Sequence, residues 1–238
     1  MSDNNLNKRQ PIWRCVSSVL KLFFKKPKIV SLSGDIPNRA ILLANHSAMF
    51  GPVIYKLYLP ANYYCWAAWP MFGNYKSRFH YLRDIYFMQK RHKSKFAATL
   101  LASFEAVFSP MFYKGMRFMA SYDDMRFIST IRNSMEVLEN DMNIMIFPEN
   151  SDDGYHEVLK GFHAGFVELA KYYRKKHGED VPMYPIYYHD KKKVIVIGEP
   201  RKLDDYLSQG YTREQIAQDM CDRVNDLFFQ HIAPLPAK

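Results

Sequence analysis

The chain has 238 residues, 48% hydrophobic, 16% aromatic and 24% charged: enough apolar material for one sizeable core, and too much for a disordered, fibrous or low-complexity protein. Its net charge of +9 favours a polyanionic partner, either an anionic bilayer or a nucleic acid. Three widely spaced cysteines, Cys15, Cys65 and Cys221, form neither a disulfide framework nor a zinc-type cluster, which fits a reducing, cytosol-facing setting.

In chain order, the first predicted element is a basic amphipathic helix. Lys8, Arg9, Arg14, Lys21, Lys25, Lys26 and Lys28 occur in residues 8–34 without an acid, and Trp13, Val16, Leu20, Phe23 and Phe24 recur among them at helical spacing. That pattern suits a helix lying in a lipid interface and favours the bilayer over a nucleic acid. Each basic side chain near an anionic surface contributes roughly 1 kcal/mol, so together they would hold the chain there. The alternative is a terminal helix packed on its own core with a solvated basic face. A spanning helix is not expected in this segment, because its charge-free runs fall far short of about 20 apolar residues.

Short apolar runs predict strands over 29–33, 40–45, 63–67, 117–121, 143–147, 183–188 and 193–198, the last two joined by a turn at Lys191-Lys192-Lys193. Helices are predicted from near Asp124, over about 156–177 with a stop at Gly178, and from Thr212, where Thr-Arg-Glu-Gln forms a capping box. In the last, Ile216, Met220, Val224, Leu227 and Phe228 share a face. The segment 96–113, charged only at Glu105, reads either as a core helix or as a membrane-dipping or acyl-chain-lining one. The alternation defines an α/β domain over 29–200, a mixed, mostly parallel sheet flanked by helices. Residues 1–28 form a membrane-association segment before it, and 201–238 a helical extension packed on it.

Two strand ends carry the candidate chemistry. One strand ends in Asn45-His46-Ser47, with Gly51-Pro52 suited to open a helix; another ends in Phe147-Pro148-Glu149-Asn150-Ser151. α/β folds gather ligands at such ends, and here they offer a base and an acid. No metal constellation is expected from the scattered histidines.

These segments resemble the glycerol-phosphate and lysophosphatidic acid acyltransferases. The family's Asn-His-x-x-x-x-Asp-Pro compares with Asn45 to Pro52, and its Phe-Pro-Glu-Gly-Thr-Arg with Phe147 to Asp152. Its Val-Pro-x-x-Pro compares with Val181 to Pro185, and its Gly-x-x-Phe-Ile-x-Arg with Gly115 to Ser121. The likeness runs from about residue 29 to 200, with motif order and spacing agreeing. It implies acyl transfer from acyl-CoA or acyl-carrier protein to a lipid hydroxyl, with His46 as general base and no cofactor or covalent enzyme intermediate. An imidazole with pKa near 6.5 suits that role.

Departures from the pattern shape the expected acceptor. Gly51 stands where the family has the Asp that orients its histidine, and no acid occurs from Ile36 to Arg83. Glu149 is the first candidate to replace it, with Asp152, Asp153, Glu157 or a backbone carbonyl in reserve. Ser121 and Asp152 stand where the family has phosphate-gripping arginines. The expected acceptor is therefore neither glycerol 3-phosphate nor lysophosphatidate but a glycolipid, an amino-acid lipid or another hydroxylated lipid. Asn45, Ser47, Asn150, Ser151, Asp152 and Arg117 are the candidate substrate-binding residues. A non-catalytic lipid- or acyl-CoA-binding relative of the same fold is the alternative. The expected location is peripheral, on the cytoplasmic face of a membrane.

Overall fold

A computed structural model describes residues 11–47 and 50–233. Lys8 and Arg9 of the basic segment, and Ala48 and Met49 of the first motif, lie outside them. The architecture is α/β: a seven-stranded sheet flanked by eight α-helices among the described residues. The strands are β1 (Lys28–Ser31), β2 (Ile41–Ala44), β3 (Tyr63–Ala68), β4 (Phe118–Ser121), β5 (Asn143–Ile146), β6 (Met183–His189) and β7 (Val194–Ile197), in spatial order β1-β7-β6-β2-β5-β3-β4. Every pairing is parallel except β6 with β7, which follow one another through the turn at Asp190–Lys193.

The central strands are buried on both faces, which explains their continuous apolar runs. Ile41, Leu43, Ile144 and Ile146 point to one side, onto α5 (Phe127–Glu139), α6 (Gly165–His177) and α8 (Arg213–His231). Leu42, Ala44 and Met145 point to the other, towards Ile54 and Tyr55 of α2 (Gly51–Tyr58). α8 begins at the Thr212 capping box and buries Ile216, Met220, Val224 and Leu227.

Three segments differ from the sequence reading. First, α6 begins only at Gly165; residues 156–164 follow an irregular, non-helical course with a bend at Glu157–Val158 and pair back on the loop after β5, through Asn150 N–Gly161 O (2.9 Å) and His163 N–Pro148 O (2.7 Å). Asn225 of α8 holds that segment by bonding both backbone polar groups of Leu159 (2.8 and 2.9 Å), an alternative to helical pairing.

Second, between β3 and β4 lies a helical insertion: a 3₁₀ turn (Trp69–Phe72), α3 (Tyr75–His80), a π-helix (Tyr81–Lys90) and α4 (Lys95–Gly115). It has its own small core of Met71, Leu82, Phe87, Ala98, Ala102 and Ala106. α4 is long and apolar enough to cross a membrane, yet only 22% of its most apolar stretch is buried, so it is not a core helix.

Third, α1 (Pro11–Phe23) packs with the residues expected to face lipid. Trp13, Val16, Leu20 and the following Phe24 are half-buried, with Trp13 against Gly115 and Phe24 against Phe50 (5.1 Å between ring centres). Phe23, by contrast, joins the outward face of Ile12, Val19 and Leu22.

Candidate active site

β2 and β5 are parallel neighbours, with Leu43 opposite Ile146, so the segments that follow them emerge side by side at the C-terminal edge of the sheet. There the Glu149 carboxylate accepts a hydrogen bond from the His46 backbone amide at 2.7 Å. Glu149 is buried and forms a bridge with Phe162 of the returning segment. Burial raises its carboxyl to about 7, opposed by the His46 amide and by the charge of Lys90. The Glu149 contact expected to orient an imidazole is thus made to the main chain of His46, fixing the course of the loop. The half-buried His46 ring lies against two aromatic side chains, stacked on Tyr155 (centres 4.6 Å apart, planes at 19°) and edge-on to Phe147 (5.3 Å).

That loop is tightly turned. Ser47 has φ of +44°, and Gly51 lies so close to His46 that a Cβ there would sit 2.0 Å from the His46 carbonyl oxygen. Position 51 therefore accepts no side chain along this path. The absence of an Asp from the first motif has a steric counterpart.

Asn45, expected at the acceptor, spends both amide atoms inside the fold. Its Nδ2 donates to the Tyr188 carbonyl (2.9 Å), and its Oδ1 accepts from the Tyr188 amide (2.7 Å) and the Tyr55 hydroxyl (2.9 Å). It prolongs the β2–β6 pairing beyond Ala44 as a clamp beneath His46.

The loop after Glu149 is covered by the π-helix and the turn beyond it. Lys90 Nζ donates to the buried Ser151 Oγ (2.8 Å), Gln89 to the Asp152 carbonyl (3.2 Å), and His92 Nε2 lies 3.2 Å from the Asp153 carbonyl oxygen. Gly154, at φ of +112°, passes close beneath the Lys90 carbonyl. Burial lowers the Lys90 ammonium, while Asp152 and Glu149 oppose the shift. Asn150 is exposed and its side chain accepts from the Asp152 amide (3.3 Å), a local turn contact. Asp153 pairs with Lys160 and, at 3.2 Å, with His156.

Arg117 is not brought to this edge. It precedes β4, its carbonyl accepts from the Cys65 amide (3.0 Å), and its guanidinium donates to Asn62 (2.6 Å). The registers set it near the level of Ile41, about five residues or roughly 16 Å along the strand direction from His46. His46, Ser47, Glu149, Ser151 and Asp152 thus belong to the C-terminal edge and Arg117 to the opposite one.

Two residues of the site were not singled out from sequence. Tyr155 falls in a loop with no periodicity to mark it, and Lys90 is one of seven basic residues within 75–95. Among the described residues, no group of three His, Cys, Asp or Glu side chains is placed to hold a metal ion. Neither a family model nor a curated protein sequence matches the chain.

Proposed function

We propose that this chain is a membrane-associated O-acyltransferase that moves a fatty acyl group from acyl-CoA or acyl-carrier protein to a hydroxyl of a lipid acceptor. The observation that carries the reading is the 2.7 Å contact between His46 and Glu149, which joins two motif segments 103 residues apart at one sheet edge. His46 takes the proton of the acceptor hydroxyl, whose oxygen attacks the thioester carbonyl. The tetrahedral intermediate collapses with cleavage of the C–S bond, and the imidazolium returns the proton to the leaving thiolate. Glu149 acts by holding the His46 main chain, and the aromatic faces of Tyr155 and Phe147 limit the ring's movement.

The acceptor is a hydroxylated lipid without a phosphomonoester, such as a glycolipid. Asp152 is exposed on the loop, Lys90 is bonded to Ser151, Lys160 is paired with Asp153, and Arg117 stands at the far edge. The protein works at the cytoplasmic face of a membrane, to which it attaches peripherally. A second reading, a non-catalytic lipid- or acyl-CoA-binding relative, is favoured by Gly51, which leaves no room for the family's carboxylate.

Incubation of the full chain with acyl-CoA or acyl-carrier protein and a panel of glycolipid, lysophospholipid and lysophosphatidate acceptors, with mass spectrometry of the lipid extract, tests the proposal. The expected product is an acylated non-phosphate lipid. Efficient acylation of lysophosphatidate overturns the acceptor assignment, and binding of donor without any acyl product favours the second reading.

A further inference from the structure

Two neighbouring helices turn apolar faces outward. On α4, Phe96, Leu100, Phe104, Val107, Phe108 and Met111 are exposed, Phe96 by 81% and Phe104 by 70%, while Ala98, Ala102 and Ala106 face the π-helix side. On α1, Ile12, Val19, Leu22 and Phe23 are exposed, and the helix meets α4 where Trp13 covers Gly115. Exposed apolar surface of this extent on two packed helices marks a contact with lipid or with another protein.

The charge around it selects between them. Viewed down its axis, α1 divides into three sectors: the packed one, the exposed apolar one, and an exposed polar one of Arg14, Ser18 and Lys21, continued by Lys25. Lys93 and Lys95 are exposed where α4 begins. The only acid on α4, Glu105, is half-buried at the margin of the apolar face, one turn before Phe108, and burial raises its carboxyl above the ordinary value, which favours the uncharged form. A second copy would set these cations against one another, whereas an anionic bilayer complements both the apolar and the basic sectors.

We infer that the joined α1–α4 face is a bilayer-insertion surface. The exposed Phe and Leu side chains of both helices enter the acyl region of an anionic membrane, and Arg14, Lys21, Lys25, Lys93 and Lys95 lie at its headgroups. The two helices also adjoin the loops of the candidate site. Phe24, just past α1, packs on Phe50 before Gly51, and the π-helix beneath α4 ends in Lys90, bonded to Ser151. Insertion thereby holds the His46 and Glu149 loops near the lipid surface. The inference concerns attachment alone and stands whether or not acyl transfer occurs.

Vesicle flotation of the full chain tests it, with phosphatidylcholine vesicles carrying or lacking phosphatidylglycerol. The chain is expected to float with anionic vesicles. Partition of the Phe104→Glu/Phe108→Glu double variant should fall at least about 10-fold, the loss expected on removing one inserted aromatic side chain. Cys15 is the exposed cysteine, with Cys65 and Cys221 buried, so a polarity-sensitive dye on Cys15 reports the α1 face of the otherwise unaltered protein, and its emission should shift to the blue on vesicle addition. His46→Ala should float as the wild type does, which separates attachment from chemistry. Equal partition of wild type and double variant, an unchanged dye spectrum, or a lipid-free dimer that the double variant abolishes would overturn the inference, the last assigning the face to a second copy.

Discussion

Replacing Glu149 by Gln tests the buried carboxylate at the centre of the site. In the fold its pKa stands at about 7, against an ordinary value of 4.5, because burial penalises the charge more than the His46 amide and Lys90 relieve it. The native state therefore holds this proton more tightly than the unfolded chain does. Between about pH 4.5 and 7 the folded protein binds more protons, so its stability falls as pH rises and the loss is complete above the folded pKa. At about 1.4 kcal/mol for each tenfold change in proton affinity, the interval corresponds to about 3 kcal/mol. Gln keeps an oxygen able to accept from the His46 amide and removes the ionisation. Urea unfolding followed by circular dichroism from about pH 4.5 to 8 should show the wild type losing up to about 3 kcal/mol relative to the variant across that span. Parallel stability curves for the two proteins would refute the assignment of a buried, proton-holding carboxyl.

Gly51→Asp, which introduces the residue found there in the acyltransferases the sequence resembles, should not create a working His–Asp pair. The new Cβ meets the His46 carbonyl at 2.0 Å, so the change is expected to cost about 1–3 kcal/mol or more in a thermal melt and to lower any acyl transfer. Asn45→Ala strands the Tyr188 amide and carbonyl and the Tyr55 hydroxyl, and urea unfolding should register a loss of about 2–4 kcal/mol. Tyr155→Leu removes the ring stacked on His46; kcat is expected to fall about 10- to 100-fold with a displaced pH–rate midpoint, while the donor KM changes little.

Burial made the sheet legible in the sequence. All seven strands coincide with apolar runs, because both faces of the central strands are covered and no polar alternation interrupts them. The start of α8 was equally readable, since Thr212 and Gln215 cap each other through contacts confined to four residues. The two strand ends showed that a base and an acid were on offer, whereas their adjacency came from the resemblance, which implies that the two segments follow neighbouring strands. Gly51, read as a missing carboxylate, proves to be the position where the backbone leaves no space for one.

What could not be read depended on long-range partners. α1 carries apolar residues on two adjacent sectors, and periodicity gives no means of choosing which packs against Gly115. The residues 156–164 looked helical, but the pairing with the Glu149 loop and the clamp from Asn225 hold them in a non-helical course. Apolarity along 96–113 was plain, but whether it faced inward depended on the small Ala98, Ala102 and Ala106 stripe meeting Leu82 and Phe87. Lys90 and Tyr155 reach the site through tertiary contacts alone.

The most direct measurement of the account is the rate of acyl transfer by His46→Ala beside the wild type, with saturating acyl-CoA, the best non-phosphate acceptor and anionic vesicles present. A general base of this kind is worth about 10²- to 10⁴-fold, so the variant should lose that much in kcat while remaining folded and vesicle-bound. An undiminished rate in His46→Ala would contradict the account.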